Sequence, residues 1–253
     1  MRLVAPRVNH DAHCHVADFA DALAVINAYE SAEIDTVCVT VHPAQFDALT
    51  ASGLVEAGSR VRVVPGLHPA ELPAAEDQLS RLLELIDVAP WVGEIGLDGV
   101  DDALETQASQ RRVLSAVLEA CVKRGEPEKR LSLHSRRTSA ALLAMLDGYF
   151  PGAVLHWFSG DAKTLERAIT ERRWFSVNPA MAASRTGRQM LRELPRDRVV
   201  YESDGPYAWC SGRPARPSDS GVVVTALASL WEMREPEVAG TLNVNWSMLN
   251  GRA

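Results

Sequence analysis

The chain has 253 residues, of which 47% are hydrophobic and 23% are charged, and its formal net charge is -7. A chain of this size can bury one large core, and its acidic balance argues against a protein that coats nucleic acid through overall positive charge. We therefore expect a single domain over residues 1–253. A local cationic or metal-lined patch would still be compatible with a nucleic-acid substrate.

In chain order, short apolar runs alternate with longer amphipathic stretches, which is the pattern of βα units around a parallel sheet. Strands are predicted over residues 8–13, 36–41, 61–67, 91–97, 131–134, 153–158, 174–178 and 199–203, helices over stretches such as 18–31, 71–87, 105–123 and 161–171, and a long loop over 211–220. This order predicts an α/β fold, a (β/α)₈ TIM barrel. A doubly wound open sheet is the alternative.

The four cysteines are scattered and show no Cys-x-x-Cys spacing, and no basic-then-apolar leader precedes them. This usage indicates a reducing compartment without a disulfide framework, so we expect a cytoplasmic protein. No apolar stretch approaches the roughly 20 residues that a membrane helix needs. We therefore expect no membrane association.

Metal-competent side chains follow six of the predicted strands. They are His13 and His15, His68, Glu94, His134, His156, and Asp204. In a closed barrel, the carboxyl ends of the strands meet at one rim, whereas an open sheet would spread these groups along a line. Imidazole and carboxylate donors without thiolates are typical of a hydrolytic centre holding Zn, Mn or Mg and not of a Cys-rich structural zinc site.

The residue types also suggest how two divalent ions would be held. Side chains at i and i+2 of a strand point the same way, so His13 and His15 can bind one ion while Cys14 faces the other side. Asp204 is the expected third ligand and catalytic base, because it can accept a proton from water that the metal activates. A carboxylate has two oxygens, so Glu94 can bridge both ions in a catalytic role. The remaining ligands, His134 and His156, would hold the second ion, and the pair would orient a phosphodiester for hydrolysis.

Three further polar residues, His68, Asp11 and Glu202, each have two possible interpretations, and two others, Arg136 and Trp209, have one. His68 can contact substrate phosphate or hold a ligand, but a packed or loop-capping histidine is also compatible with its position before Pro69. Arg136 is predicted to bind substrate by clamping a phosphate oxygen. Asp11 and Glu202 can hydrogen-bond a ligand histidine, or they can be buried acids with backbone partners. Trp209 lies near the predicted rim of the barrel, and we expect its ring to contact a nucleic-acid base.

Six ordered motifs resemble those of the TatD-type metal-dependent nucleases of the amidohydrolase superfamily. They are Asp11-x-His13-x-His15, Gly66-Leu67-His68-Pro69, Gly93 to Asp98, His134-Ser135-Arg136, His156 to Gly160 and Glu202 to Pro206. The resemblance covers nearly the whole chain and implies the same allocation of ligands. Trp157, the 175–178 segment and the 212–217 segment look most like the QatD-like branch of Qat anti-phage systems. Trp157 stands where the family usually has cysteine.

The resemblance implies a metal-dependent deoxyribonuclease that acts as a 3'-5' exonuclease on single-stranded DNA, and its branch implies protein partners in a bacterial anti-phage defence complex. Two alternatives stay open. The same centre can attack another bond, such as the ester of a D-aminoacyl-tRNA or an amide. The barrel can also serve mainly as a binding subunit of a defence complex.

Overall fold

The computed structural model describes residues 7–56, 58–123, 129–147 and 149–251. Strands and helices alternate along the chain. The strands are β1 (His10–Cys14), β2 (Asp35–Val39), β3 (Val61–Val64), β4 (Trp91–Gly96), β5 (Arg130–His134), β6 (Ala153–His156), β7 (Trp174–Val177), β8 (Val199–Tyr201), β9 (Trp209–Cys210) and β10 (Arg213–Pro214). The helices are α1 (Ala22–Ser31), α2 (Pro43–Ala51), α3 (Leu79–Leu85), α4 (Leu104–Lys123), α5 (Ser139–Leu146), α6 (Ala162–Thr170), α7 (Pro179–Ala183), α8 (Arg185–Glu193), α9 (Ser220–Trp231) and α10 (Glu235–Leu249).

All eight predicted strands are present, and most end earlier than predicted. Several donor residues lie within a strand or at its end, as His13, His134 and His156 do. Trp157, directly after β6, has φ of 39°, a left-handed value that cannot continue a strand. The alternation of parallel strands with helices confirms the α/β class.

Two segments differ from prediction. The predicted helix 71–87 is helical mainly over α3, because two short 3₁₀ turns, Pro69–Glu71 and Glu76–Gln78, precede it. The predicted loop 211–220 contains β10, which pairs with β9 in an antiparallel hairpin. The hairpin turns through Ser211 and Gly212, whose φ values of 53° and 80° fit the two-residue turns that join twisted strands.

Two compact units divide the chain. The first comprises Met1–Val37, Ala57–Arg62 and Phe175–Ala253. Within it, β7 pairs in parallel with β8, with Phe175 opposite Val199 and Val177 opposite Tyr201. Strand β1 lies beside β8, and α10 packs on β8 and α9. The first unit therefore brings together the carboxyl ends of β1, β7 and β8.

The second unit comprises Cys38–Glu56 and Val63–Trp174. Strands β4, β5 and β6 run parallel, and α4 packs on β4 through a buried stripe that includes Val113, Leu114, Val117 and Leu118. The register of β4 against β5 shifts between Val92 and Ile95, so one extra residue of β4 is accommodated there. Over the described residues, no helix has both the length and the apolar character needed to span a membrane. The single domain over residues 1–253 stays a prediction.

Candidate metal centre

Three buried side chains of the first unit, His13, His15 and Asp204, form what we call the first donor group. The Nε2 atoms of the two histidines lie 3.0 Å apart. Oδ1 of Asp204 lies 3.7 Å from Nε2 of each histidine. Two nitrogens and one carboxylate oxygen therefore point toward one small space, as the i, i+2 spacing of His13 and His15 predicts.

Main-chain hydrogen bonds fix the backbone of this group. Asp204 N donates to His13 O over 3.0 Å, and His15 N donates to Gly205 O over 2.8 Å. Asp204 has a left-handed φ of 48°, and its carbonyl accepts from Ala208 N at 2.8 Å. Cys14 faces away and donates its thiol to Gly205 O at 3.5 Å, so it is a packing residue, as predicted.

Asp11 holds the strand ends together from behind the first donor group. Its Oδ1 accepts from the backbone N–H of Ser203 at 2.9 Å and of His13 at 3.2 Å, and its Oδ2 accepts from the Tyr29 hydroxyl at 2.6 Å. Burial raises the pKa of Asp11 to about 6, although the hydrogen bonds from Ser203, Tyr29 and His13 oppose that rise. The reading of a buried acid with backbone partners is therefore the one that the structure supports.

Tyr207 and Asp18 border His15 on its other side. The Tyr207 ring meets the imidazole edge-on, with centroids 4.8 Å apart, and its hydroxyl donates to Asp18 Oδ2 at 3.0 Å. The same carboxylate oxygen lies 3.7 Å from His15 Nδ1. Because the Asp18 carboxylate lies beside Nδ1, it favours the imidazole orientation in which Nε2 is the atom that binds a cation.

The second donor group lies in the second unit and consists of Glu94, His134, His68 and His156. Three imidazole nitrogens surround Oε1 of Glu94: His134 Nδ1 at 2.6 Å, His68 Nε2 at 3.4 Å and His156 Nε2 at 3.8 Å. The His68 and His134 rings meet edge-on with centroids 4.5 Å apart. Glu94, His68 and His134 each offer a ligand atom close enough to hold one metal ion.

Gly66 and Gly96 let the backbone on either side of Glu94 pack closely against neighbouring strands. The register shift in β4 falls at Gly93 and Glu94, and such irregularities re-aim a side chain. A Cβ on Gly66 would collide with the backbones of Thr40, Gly93 and Glu94, so only glycine lets these strands approach. Gly96 has φ of 145°, and a side chain there would collide with the carbonyl of His134.

Asp98 closes the motif Gly93 to Asp98, and its role in the site was not predicted from the sequence. Its Oδ2 lies 2.7 Å from Nε2 of His134, on the opposite side of the ring from Glu94. Burial opposes the charge of His134, but Glu94 and Asp98 outweigh it and raise its pKa to about 9. Burial likewise opposes ionisation of Asp98, yet the bonds from His134 and Val100 N–H and the charges of His134 and Arg136 hold the pKa of Asp98 below its usual value. The available signal was a carboxylate four residues after Glu94, just past the strand end.

The remaining predicted site residues lie as follows. His68 combines both readings, because its Nδ1 accepts from Ala70 N at the start of a 3₁₀ turn while its Nε2 faces Glu94. Arg136 is exposed just after β5, near enough for its charge to act on Asp98. Glu202 is buried and accepts from Asn178 Nδ2 at 3.0 Å. Trp209 is 58% exposed.

The donor chemistry fits a divalent cation. Two ligands of one tetrahedral zinc at 2.0–2.1 Å would lie about 3.3 Å from each other, and the separations within the first donor group are 3.0 and 3.7 Å. The metal-competent groups found in the described part of the chain contain imidazole nitrogen and carboxylate oxygen as donors. Such donors suit a hydrolytic centre.

The sequence matches the TatD related DNase family over residues 10–251. The chain therefore belongs to that family. A solved structure of YJJV, a TatD homologue from Escherichia coli K12, is 26% identical and covers 95% of this chain and 96% of its own, with a TM-score of 0.78. A TatD-family hydrolase from Entamoeba histolytica is 18% identical and covers 99% of this chain and 100% of its own, with a TM-score of 0.77. These similarities confirm the predicted (β/α)₈ barrel class.

Relatives named for an activity match over shorter stretches of the chain. The protein named "3'-5' ssDNA/RNA exonuclease TatD" from Edwardsiella piscicida is 29% identical over 150 residues, 56% of each chain. Its namesake from Citrobacter koseri is 26% identical over 205 residues, 74% of this chain and 77% of that one. The chain thus spans about half the length of several curated relatives that it matches.

Proposed function

We propose that this protein is a divalent-metal-dependent phosphodiesterase that removes nucleotides from the 3' end of single-stranded DNA. The observation that carries the proposal is the first donor group, in which a buried carboxylate lies 3.7 Å from two histidine nitrogens. Membership of the TatD related DNase family and the names of the relatives support the choice of a nucleic acid as substrate.

In the proposed site, His13, His15 and Asp204 would hold one divalent cation, and Glu94, His134 and His156 would hold a second. Bound divalent cations would supply the positive charge that phosphodiester hydrolysis requires. The Asp204 carboxylate accepts the proton of the attacking water, as general base. Asp98 fixes the ring of His134, and Arg136 and His68 bind the scissile phosphate.

The test uses a 20-nucleotide single-stranded DNA labelled at its 5' end, so that removal of 3' nucleotides gives a ladder. Activity should require added Mg²⁺, Mn²⁺ or Zn²⁺ and should disappear in His134→Ala. His42→Ala, which alters only the cap of α2, should leave it intact. RNA and D-aminoacyl-tRNA are assayed in parallel. Deacylation without nucleotide release would refute the proposal in favour of an ester hydrolase.

We also propose that the protein is of the QatD-like branch and acts in the cytoplasm within an anti-phage system. Trp157 and the 212–217 segment support the branch, and four buried cysteines that form no disulfide support a reducing compartment. Catalysis should then be needed for protection. In a plaque assay, a Glu94→Gln/Asp204→Asn double variant that still folds should lose protection, whereas equal protection would favour a binding subunit.

A further inference from the structure

Three arginines line one side of α8. Arg185, Arg188 and Arg192 stand at i, i+3 and i+7, positions that fall on one face of an α-helix. Leu191 is fully buried on the inner face, so the arginine face looks outward. Arg185 and Arg192 are exposed and Arg188 is half-buried. With a rise of 1.5 Å per residue, the stripe is about 10 Å long.

The three guanidinium groups have no ion-pair or hydrogen-bond partner within the described ranges. Other arginines differ: Arg213 is held by Asp219 at 2.8 Å, and Arg216 by Asp21 at 3.0 Å. In a chain whose net charge is -7, three neighbouring unneutralised cations form a local positive stripe. Such a stripe attracts a polyanion.

A continuous set of contacts leads from the first donor group to the stripe. Asn178, at the end of β7, bonds to Glu202 and caps the start of α7 through its Oδ1. Helix α7 leads directly to α8 and packs against it, and α7 also contacts β9. Strand β9 carries the exposed Trp209. Helix α7 thus contacts both the strand that carries Trp209 and the helix that carries the arginines.

We propose that the arginine face of α8 binds the phosphates of the single-stranded nucleic acid upstream of the nucleotide being cleaved. This inference rests on the proposed function. The length of the stripe accommodates two or three phosphates, since nucleotides are spaced by at least about 3.4 Å. The indole of Trp209 favours a nucleic acid over an acidic peptide, because bases stack on aromatic faces.

The main test is binding of a 3'-fluorescein 20-nucleotide DNA in EDTA, measured by anisotropy at several salt concentrations. The Arg185→Gln/Arg188→Gln/Arg192→Gln variant should bind on the order of 10- to 100-fold more weakly at 0.1 M salt, and the slope of log Kd against log salt should fall by about 2. The Arg111→Gln/Lys123→Gln/Arg234→Gln variant removes the same charge from α4 and the start of α10 and should bind like wild type. Equal binding by both triple variants would overturn the proposal.

Hydrolysis separates this surface from the active site. The α8 variant should retain wild-type cleavage of a dinucleotide and show a raised KM for the 20-nucleotide DNA with little change in kcat. If wild type cleaves nothing yet the binding difference holds, the proposed function fails and the surface stands. If cleavage is normal and binding does not differ, the surface fails alone.

Two further controls keep the proposal testable. The single variants Arg185→Gln and Arg192→Gln alter exposed side chains, so they serve if the triple variant unfolds, and each should lower the salt slope by about 0.7. Polyglutamate competition tests an acidic peptide as the occupant. If the α8 variant loses polyglutamate binding as strongly as DNA binding, the assignment to nucleic acid is overturned.

Discussion

The two donor groups are built in different ways. In the first, His13 lies on β1 and His15 follows directly after that strand, two residues on, and backbone bonds from His15 and Asp204 fix the third member. In the second, each donor comes from a different strand end, and the side chains orient one another around Oε1 of Glu94. Main-chain geometry thus determines the first group and side-chain partners determine the second. Substitutions of supporting side chains should therefore have different consequences in the two groups.

The largest expected effect is that of Asp204→Asn. The amide keeps the size of the side chain but loses the charge and the proton acceptor, so kcat should fall about 10²- to 10⁴-fold. The backbone bonds to His13 and Ala208 do not involve the side chain, so the melting temperature should change little. Steady-state nuclease assays and calorimetry test both points. Asp197→Asn, at an exposed position before β8, is the control and should keep full activity.

Asp98→Asn tests whether the second donor group depends on a supporting side chain. Removing the charge on the far side of His134 should lower metal affinity or activity about 10- to 100-fold, the usual cost of losing a carboxylate behind a histidine ligand. The loss of metal affinity is measured as metal content after dialysis and by titration calorimetry. Asp101→Asn lies in the same segment, where the carboxylate bonds to Ala103 and Thr106, and should leave metal affinity unchanged. Equal losses in both variants would show that the effect is structural.

The contrast also explains how far the sequence predicted the site. The i, i+2 spacing of His13 and His15 is a local rule, so their shared direction could be read directly. The link between His134 and Asp98 joins residues 36 apart and depends on how the chain turns after Gly96, which no periodicity reports. The two roles of His68 were open for the same reason.

The same division applies to the fold: local patterns predicted some features, and others depended on backbone geometry. Strand order came from alternating patterns, whereas strand ends depend on local backbone geometry that the pattern does not report: β6 ends before the left-handed Trp157, and β3 ends before Pro65. The β9–β10 hairpin was missed since Ser211-Gly212 lies among prolines and arginines that suggest an irregular loop.

Tyr29→Phe tests the backbone support of the first group. It removes the hydroxyl that donates to Asp11 over 2.6 Å and leaves a buried carboxylate with one partner fewer. Loss of a hydrogen bond to a charged group should lower the free energy of unfolding by about 1.5–3 kcal/mol. Urea denaturation measures this change. Tyr149→Phe, at a side chain that is 59% exposed, should be nearly neutral, and a similar loss there would contradict the assignment.

The smallest effect concerns His10, at the start of the same strand, which stacks on Trp246 and accepts from Tyr201 N at 3.0 Å. Burial lowers the pKa of His10 from 6.5 to about 3, against a weaker opposing bond with Asn243. The folded imidazole is therefore neutral, and protonating Nε2 would set two donors against each other. Between pH 6.5 and 3 the unfolded chain binds a proton that the folded chain does not, so stability falls as pH drops through this window.

His10→Gln keeps an acceptor for Tyr201 N but does not titrate. We expect the wild type to lose up to about 1.4 kcal/mol of unfolding free energy per pH unit more than the variant between pH 6 and 5. Urea denaturation at pH 7, 6 and 5 gives both curves, and carboxylates titrating in this range affect the two proteins alike. Parallel curves would show that His10 is not held neutral. A steeper fall of the wild type would mean that β1, which carries His13, depends on an uncharged residue at its start, whereas His134 of the second donor group has carboxylate partners on both ring nitrogens.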